Sequence, residues 1–326
     1  MPTAVLFRMS AVGLVAALSL TGCSGGSHDS LASGSGAASA SPSAAPKPPV
    51  ATWAQAKKIV HSYQVRNDRA VGKVRKAPHP FKPWRAVDAG VALANDRFFT
   101  AAEKHGYDEG GLISYDRVKR LYAPMIPAGA PQWFVAGMRE TWRNGKKTTH
   151  NGVMTVFERA HAGAPWKQSL FAYVKKGDQP RPAPVGTATN ADRSTTKRAR
   201  KLAKQLAGFW NHGRKPAAFK ASKKLANTLE TASYQTLSIH ASLLGGKTPM
   251  RVVRVAGGAL VLAPYRAVET YRARRGTIHW IKSEAAVRGS SEHTELSRDA
   301  SLVAAFLMPT KGKARVLGFS GDSVIW

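Results

Sequence analysis

The fold is decided by residues 132–174, which read QWFVAGMRETWRNGKKTTHNGVMTVFERAHAGAPWKQSLFAYV. Two runs rich in β-branched and aromatic side chains flank Asn144-Gly145, a dipeptide in which both residues tolerate a positive φ angle. A Gly-Ala-Pro turn then leads into residues 166–174, whose side chains alternate between two faces. The stretch therefore predicts an antiparallel meander.

Three helices are predicted ahead of this meander, because apolar residues recur there at helical spacing. Thr52 is placed to cap the first helix, and residues 104–106 end the second. The third is predicted between Ser114 and Pro124. The apolar positions are Trp53, Ala56, Ile59, Val60 and Tyr63 for the first helix, Val87, Val91, Ala94, Phe98 and Ala102 for the second, and Tyr115, Val118, Leu121 and Tyr122 for the third.

The proline-rich residues 177–193 are predicted to form a linker, after which the same order of elements recurs. A basic helix is predicted from Ser194, which is placed at its N-cap. A second helix is predicted to carry Phe219, Leu225 and Leu229, and hairpins are predicted around Gly257-Gly258 and Lys311-Gly312-Lys313.

Two local likenesses point to an internal repeat. Residues 56–60, AKKIV, align with residues 199–203, ARKLA, and Phe157 followed by Gly163 is echoed by Phe306 followed by Gly312. The predicted fold class is α+β, with two tandem halves at residues 51–176 and 194–326, each with helices packed on a curved antiparallel sheet. Chance similarity and one large domain are the alternatives.

The N-terminus predicts a lipoprotein signal peptide over residues 1–22. Arg8 is followed by an apolar run too short to span a bilayer comfortably, and the run closes on Leu-Thr-Gly-Cys, with Cys23 as the only cysteine of the chain. An incidental cysteine after an ordinary signal peptide is the alternative. With diacyl modification, Cys23 would anchor the protein to the extracytoplasmic face of the cell membrane without spanning it.

Residues 24–50 are rich in Ser, Gly, Ala and Pro and cannot bury enough apolar surface to form a fold. With Cys23 they form a predicted lipidated linker, residues 23–50. As a flexible coil it spans roughly 30 Å. The folded part is therefore expected to begin near Ala51, close to the membrane surface.

The Leu-Thr-Gly-Cys sequence that ends at Cys23 resembles the bacterial lipobox. Together with the tether and the helix that starts at Thr52 and runs through Tyr63 and Asn67, it resembles secreted actinobacterial lipoproteins. With the strand after the Gly-Ala-Pro turn, they resemble an uncharacterised family defined only as a domain of unknown function. Such membership implies no activity. The order of helices and then a meander is also similar to the nuclear-transport-factor-two-like cone fold, in which aromatic side chains can line a pocket. Those on the predicted sheet are Trp133, Trp142, Phe157, Trp166, Phe171 and Tyr173, with core packing as the alternative.

Charge is the unusual quantity of this 326-residue chain, which has 49 Lys and Arg against 19 Asp and Glu, a net charge of +30. At 43% hydrophobic content a fold is still expected. The densest run lies on the polar face of the helix from Ser194, and it predicts contact with an anionic surface or, alternatively, a merely solvated face. Its residues are Lys197, Arg198, Arg200, Lys201 and Lys204.

Catalytic and metal-binding templates each fail at a particular residue. Ser194 and Lys197 have the spacing of the serine nucleophile and lysine base of penicillin-interacting enzymes. Those enzymes have a glycine after a Lys-Thr pair, whereas here Pro249 follows Lys247-Thr248. The histidines show no zinc-binding spacing, and the few carboxylates give little support for a glycosidase. No catalytic residue, cofactor, metal or nucleic-acid partner is predicted.

Three hypotheses result. The leading one is a non-enzymatic, lipid-anchored cell-surface protein whose basic exterior associates with anionic lipids or wall polymers of the envelope. The second is a ligand-binding or hydrolytic module with a pocket inside one half. The third is a scaffold for an envelope complex with an unidentified protein partner, which a large exposed apolar patch would favour.

Overall fold

The computed structural model describes residues 49–326, apart from residues 77, 79, 108–111, 128, 145–146, 176, 185–189, 213–215, 221–233, 247, 280–281, 290–291, 321–322 and 325–326. The predicted signal peptide, Cys23, nearly all of the tether, and the helix carrying Leu225 and Leu229 lie outside the described residues. Pro46–Trp326 forms one compact unit.

The described part of this unit contains helices and strands in an α+β arrangement. The helices are α1 (Trp53–Val74), α2 (Gly90–Lys104), α3 (Arg193–His212) and α4 (Lys282–Arg288), with a 3-10 turn over Lys82–Ala86. The strands are β1 (Leu112–Tyr122), β2 (Gln132–Asn144), β3 (Lys147–Arg159), β4 (Lys167–Val174), β5 (Tyr234–Leu243), β6 (Arg251–Val255), β7 (Gly258–Ala273), β8 (Glu295–Pro309), β9 (Arg315–Phe319) and β10 (Ser323–Val324).

All the strands belong to one antiparallel sheet. Its order is β1-β2-β3-β4-β9-β8-β7-β5, with β6 paired to β7 and β10 paired to β8. Two meanders are thus joined side by side through β4 and β9, which pair at Tyr173–Phe319 and Val174–Gly318. We call β1–β4 with α1 and α2 the first half, and β5–β10 with α3 and α4 the second half.

The sheet is folded over on itself. Arg251 on β6 lies 2.6 Å from Glu158 on β3, and its guanidinium lies 5.2 Å from the ring centre of Trp133 on β2. In a flat sheet of this order β3 and β6 would stand five strand spacings apart, about 24 Å. The two halves must therefore face each other.

The faces that meet form an inner core to which both halves contribute. Its members come from β2, β3, β4, β6, β7, β8 and β9: Val135, Met154, Val156, Leu170, Ala172, Val174, Val253, Val255, Leu260, Leu262, Val303, Ala305 and Leu317, together with Val91 of α2 and Tyr122 of β1. The opposite faces carry the helices, α1 over the first half and α3 over the second. The layers therefore run helix, sheet, sheet, helix, with α1 and α3 on opposite outer faces.

The predictions for the first two helices and the main hairpins are confirmed. Thr52 and Gln55 form a reciprocal capping box at the start of α1, with side-chain to backbone distances of 3.2 and 2.8 Å. β2 and β3 pair from Gln132–Arg159 to Asn144–Lys147, which fits the predicted hairpin. The core interpretation holds for four of the aromatic residues: Phe157 and Phe171 are buried, and Trp166 and Tyr173 pack against the core under α1. Trp133 packs against the inner core but also lines a cavity.

The third predicted helix is wrong, because residues 112–122 form strand β1. Its pairing with β2 shifts register between Tyr115 and Arg117 and again between Val118 and Arg120. Each irregularity adds a residue to one strand, so the apolar side chains of β1 recur at intervals of three instead of two. That interval imitates a helix.

Two smaller differences concern the second half. Val255 pairs with Gly258, so Ala256-Gly257 forms the β6–β7 turn instead of the predicted Gly257-Gly258, and Gly257 takes the positive φ of 78°. Strand β5 was not predicted, although it pairs with β7 over most of its length.

The described residues of the predicted linker, 177–184 and 190–193, run between the halves and bond to both. Gln179 donates from Nε2 to the Met138 carbonyl of β2 at 3.1 Å, and Asp178 pairs with Arg315 of β9 at 2.8 Å. Further along, Pro182 bridges Val255 of β6. This described part of the predicted linker is therefore packed into the seam.

The β4–β9 junction requires a glycine at position 318. A Cβ there would lie 1.6 Å from the Tyr173 carbonyl oxygen, a backbone atom that cannot move without opening the strand pair. Gly318 is also buried.

Gly318→Ala is expected to lower the free energy of unfolding by about 2–4 kcal/mol, because the methyl group must push β9 away from β4. Urea unfolding followed by tryptophan fluorescence measures this. Gly208→Ala on α3 is the control, since its Cβ meets no atom within 4 Å and is expected to stabilise slightly. A Gly318→Ala protein as stable as wild type would contradict the strand junction described above.

Candidate functional site

Helix α3 begins at a carboxylate cap. Asp192 accepts a hydrogen bond from the Thr195 backbone N–H at 2.6 Å and another from the Ser194 hydroxyl at 2.7 Å, so the cap is Asp192 and not the predicted Ser194. These hydrogen bonds, that of the Thr195 backbone first, lower the pKa of Asp192. Arg254 of β6 pairs with the same carboxylate. The Ser194 hydroxyl is thus engaged with Asp192, which supports a helix start and not a nucleophile.

The helix buries one face against the second half of the sheet. The buried side chains are Ala199, Leu202, Ala203, Leu206, Ala207, Phe209 and Trp210. Trp210 meets Tyr265 of β7 edge to face, with ring centres 5.0 Å apart, and the Tyr265 hydroxyl donates to the Ala203 carbonyl at 3.0 Å. This packing fixes which side chains of α3 face solvent.

The solvent face of α3 carries four cations, Lys197, Arg200, Lys201 and Lys204, which we call the basic stripe. Their spacing of i, i+3, i+4 and i+7 places them in one row, and all four are exposed. With Gln205 they line a single open groove of about 460 Å³. Helix α3 itself contains no Asp or Glu.

Arg198, the fifth predicted contact residue, is exposed, but its side chain points toward the β8–β9 turn and not along the stripe. Its guanidinium lies 3.2 Å from the Thr310 carbonyl oxygen and 3.5 Å from that of Gly312, both in the β8–β9 turn. Arg198 therefore fastens α3 to that turn, while the other four predicted residues are brought together.

Gln205 lines the groove beside the four cations. Its Oε1 atom is buried and has no hydrogen-bond partner. Sequence reasoning did not select this residue, although its position one turn beyond Lys201 places it on the same row.

A second cavity, of about 270 Å³, lies in the seam between the halves. Asn190 forms two hydrogen bonds with the Met125 backbone, and Arg251 pairs with Glu158. The buried Nε atom of Arg251 has no hydrogen-bond partner, and Thr196 also lines the cavity. The other described lining residues are apolar, so this cavity offers few polar groups for chemistry.

A pair of carboxylates lies under α1 and α2. Asp88 is buried and accepts a hydrogen bond from the Tyr63 hydroxyl at 3.0 Å, and Asp96 of α2 lies beside it. Burial first, and then the proximity of Asp96, raise the pKa of Asp88. Burial also raises the pKa of Asp96, to about 6. Arg66 of α1 is the nearby cation, and it donates to the Ala86 and Trp166 carbonyls.

A further charged cluster joins α4 to the sheet. Arg298 of β8 lies 2.6 Å from Glu269 of β7 and 3.3 Å from Glu284 of α4, and both carboxylate side chains are at most 8% exposed. Tyr271 donates to Glu269. Moving α4 away would leave the buried Arg298 and Glu284 without each other as partners, which is costly, so the cluster holds α4 against the sheet. The residues of the cluster are far apart in the sequence, so no sequence motif revealed it.

The described residues contain no group of three or more His, Cys, Asp or Glu placed to hold a metal ion. No helix within them is long and apolar enough to cross a membrane.

Comparisons with known proteins add no relative. No protein-family model matches the chain, and no curated protein is significantly similar to it.

The carboxyl pair predicts a pH-dependent stability. In the unfolded chain an Asp titrates near about 3.9, whereas Asp96 in the fold titrates at about 6. The protonated pair therefore contributes stability that is complete below about pH 4 and is lost as the pH rises through about 6. We expect the free energy of unfolding to fall by about 1–3 kcal/mol across this range in wild type, and by less in Asp96→Asn.

Urea unfolding at several pH values measures this dependence. Asp68→Asn on the exposed face of α1 is the control and should keep the wild-type slope. Equal slopes in wild type and Asp96→Asn would show that the pair does not titrate in this range.

Proposed function

We propose that this protein is a non-enzymatic cell-surface lipoprotein, acylated at Cys23, whose folded body associates through basic surface with anionic components of the envelope. The observation that carries the proposal is the basic stripe, four exposed cations in one row on a helix without a carboxylate. Anionic lipid headgroups and anionic wall polymers are the partners with this chemistry. The site of action is the extracytoplasmic face of the cell membrane.

The charge of the whole body supports the same partners. Near an anionic membrane each basic residue contributes about 1 kcal/mol within a Debye length of about 8 Å. The edge strand β1 adds Arg117, Lys119 and Arg120, all exposed. The positive electrostatic potential of these residues attracts polyanions in general. We propose that the basic stripe is where they bind.

The base of the tether lies close to the start of α3. The Val50 N–H donates to the Pro124 carbonyl at 3.0 Å, and the next residue, Met125, bonds to the Asn190 side chain at 2.6 Å. Asn190 stands two residues before the Asp192 cap. A tether with a span of roughly 30 Å therefore allows the stripe to reach the surface to which Cys23 would be fixed.

We also infer that the halves are tandem repeats, as the strand order and one shared irregularity support. β3 and β4 shift register between Val156 and Phe157, and β8 and β9 shift register between Ala305 and Phe306. Both phenylalanines lie under the helix of their own half. We further propose that each half is similar to the nuclear-transport-factor-two-like cone, because helices precede a meander in its element order.

The other two hypotheses receive less support. The inner faces of both halves are filled by one shared core, which leaves no hollow meander among the described residues for a ligand. Large exposed apolar side chains in the described part are Trp53 and Phe81, each beside a cation, Lys57 and Arg97. They do not form the broad patch that a scaffold would need.

Acylation is tested in cells that express the full chain. Metabolic labelling with a palmitate analogue is expected to mark the wild-type protein in the membrane fraction, because two acyl chains suffice for stable anchoring. Cys23→Ser is expected to lose the label and the membrane retention. An unlabelled wild-type protein released into the medium would overturn the anchor.

Electrostatic association is tested with the body alone. Since Pro46–Trp326 forms one compact unit, a chain that starts at Pro46 is expected to fold. At lipid concentrations above about 1 mM, co-sedimentation should show binding to vesicles with phosphatidylglycerol, little binding to pure phosphatidylcholine, and a fall in binding as salt rises from about 0.05 to about 0.5 M. Absent or salt-insensitive binding would remove the electrostatic claim.

A further inference from the structure

We infer that the groove along α3 is a discrete site for two or three neighbouring phosphate groups, and this inference rests on the proposed function because it names the ligand of the same surface. A diffuse basic surface binds any polyanion in proportion to charge. A fixed row of cations instead distinguishes a ligand by the spacing of its charges. Four features of the stripe support such a site.

The first feature is the number and spacing of the cations. Lys197 and Lys204 are seven residues apart, which is about 10 Å along the helix axis at about 1.5 Å per residue. Arg200 and Lys201 fill the interval. One phosphate contacts two or three such cations, so the row exceeds the need of a single phosphate and suits a short run of them.

The second feature is the mixture of donors. Arg200 offers a planar fork that matches two oxygens of a phosphate, whereas the lysines supply mobile point charges at either side. Gln205 adds a neutral amide at the edge of the row, since it lines the groove and its buried Oε1 has no partner. An amide beside cations can donate to a phosphate oxygen, which simple charge attraction does not require.

The third feature is the lack of competition within the helix. Helix α3 has no acidic residue that could neutralise the stripe, and the carboxylate at its start, Asp192, is already paired with Arg254. Arg198, which could reach across, is held by the carbonyls of Thr310 and Gly312. The four cations of the stripe therefore remain available to a ligand.

The fourth feature is the rigid support. Ala199 and Ala203 lie at 0% exposure directly behind the row, and Leu206 anchors the following turn in the same core. A helix packed in this way keeps its cations in register before a ligand arrives, which reduces the ordering cost of binding.

The chemistry shared by candidate ligands is a run of phosphates. It occurs at a membrane that presents many phospholipid headgroups and in a soluble polymer of phosphates. Tripolyphosphate is the probe for the soluble source, and phosphatidylglycerol vesicles are the probe for the membrane source.

The test compares two variants with equal loss of charge. The stripe variant is Lys197→Gln, Arg200→Gln, Lys201→Gln and Lys204→Gln in one chain. The control variant neutralises four exposed cations of α1, on the opposite outer face of the molecule, with Lys57→Gln, Lys58→Gln, Arg69→Gln and Lys73→Gln. Circular dichroism and thermal midpoints establish that both chains are folded.

Isothermal titration of the body with tripolyphosphate is expected to give saturable 1:1 binding in wild type and in the control variant. Binding to the stripe variant should be at least tenfold weaker. Tripolyphosphate should also displace wild type from phosphatidylglycerol vesicles, and orthophosphate at equal ionic strength should do so much less. Gln205→Leu, which leaves every charge in place, should weaken tripolyphosphate binding about threefold to tenfold.

Equal losses in the stripe and control variants would overturn the discrete site while leaving electrostatic association intact. Vesicle binding that tripolyphosphate cannot displace would overturn it in the same way. A wild-type body that binds neither vesicles nor tripolyphosphate would overturn both the site and the proposed function. If a variant fails to fold, single replacement of Lys201 by Gln against Lys58 by Gln gives the same comparison.

Discussion

The structure depends on one short junction, where β4 and β9 join two meanders through two residue pairs. Gly318 stands at that junction because the Tyr173 carbonyl lies where any side chain would begin. Joined there, the two meanders fold together and bury their inner faces in a common core. The salt bridge of Glu158 with Arg251, which joins the two halves, depends on that closure.

The closure also decides where function can be placed. Among the described residues the inner faces of the two halves pack against each other, so neither half shows the interior that a ligand-binding cone would use. At the seam cavity Asn190 bonds to Met125 and Arg251 pairs with Glu158, while the buried Nε atom of Arg251 has no partner. On the outer surface, α3 presents a row of cations whose positions are set by the packing of its buried face. Surface charge is therefore the feature that most favours a function.

The sequence predicted elements whose signals are local. The cap at Thr52 acts within a few residues and is confirmed, as is the hairpin predicted around Asn144-Gly145, because β2 pairs with β3 out to Asn144–Lys147. Strand β1 was missed because its irregular pairing is set by its partner, which no local pattern records. The pairing of β4 with β9 was not predicted because it joins residues far apart in the sequence. The carboxyl pair of Asp88 and Asp96 was missed, although the two are close in the sequence, because its burial against Tyr63 is set by tertiary structure. For the stripe, helical spacing correctly put four cations in one row, but it could not tell that Arg198 would bend toward Thr310.

Affinity explains why an anchor and a basic stripe would be combined in one chain. Four cations at about 1 kcal/mol each amount to about 4 kcal/mol, which corresponds to a dissociation constant of about 1 mM. Free in solution, the body would spend little time on a dilute surface at that affinity. A flexible tether of roughly 30 Å would hold the body at an effective concentration in the millimolar range, which matches the weak contact. In the proposed arrangement acylation would determine location, the stripe would determine which face of the body meets the phosphates, and neither alone would do both.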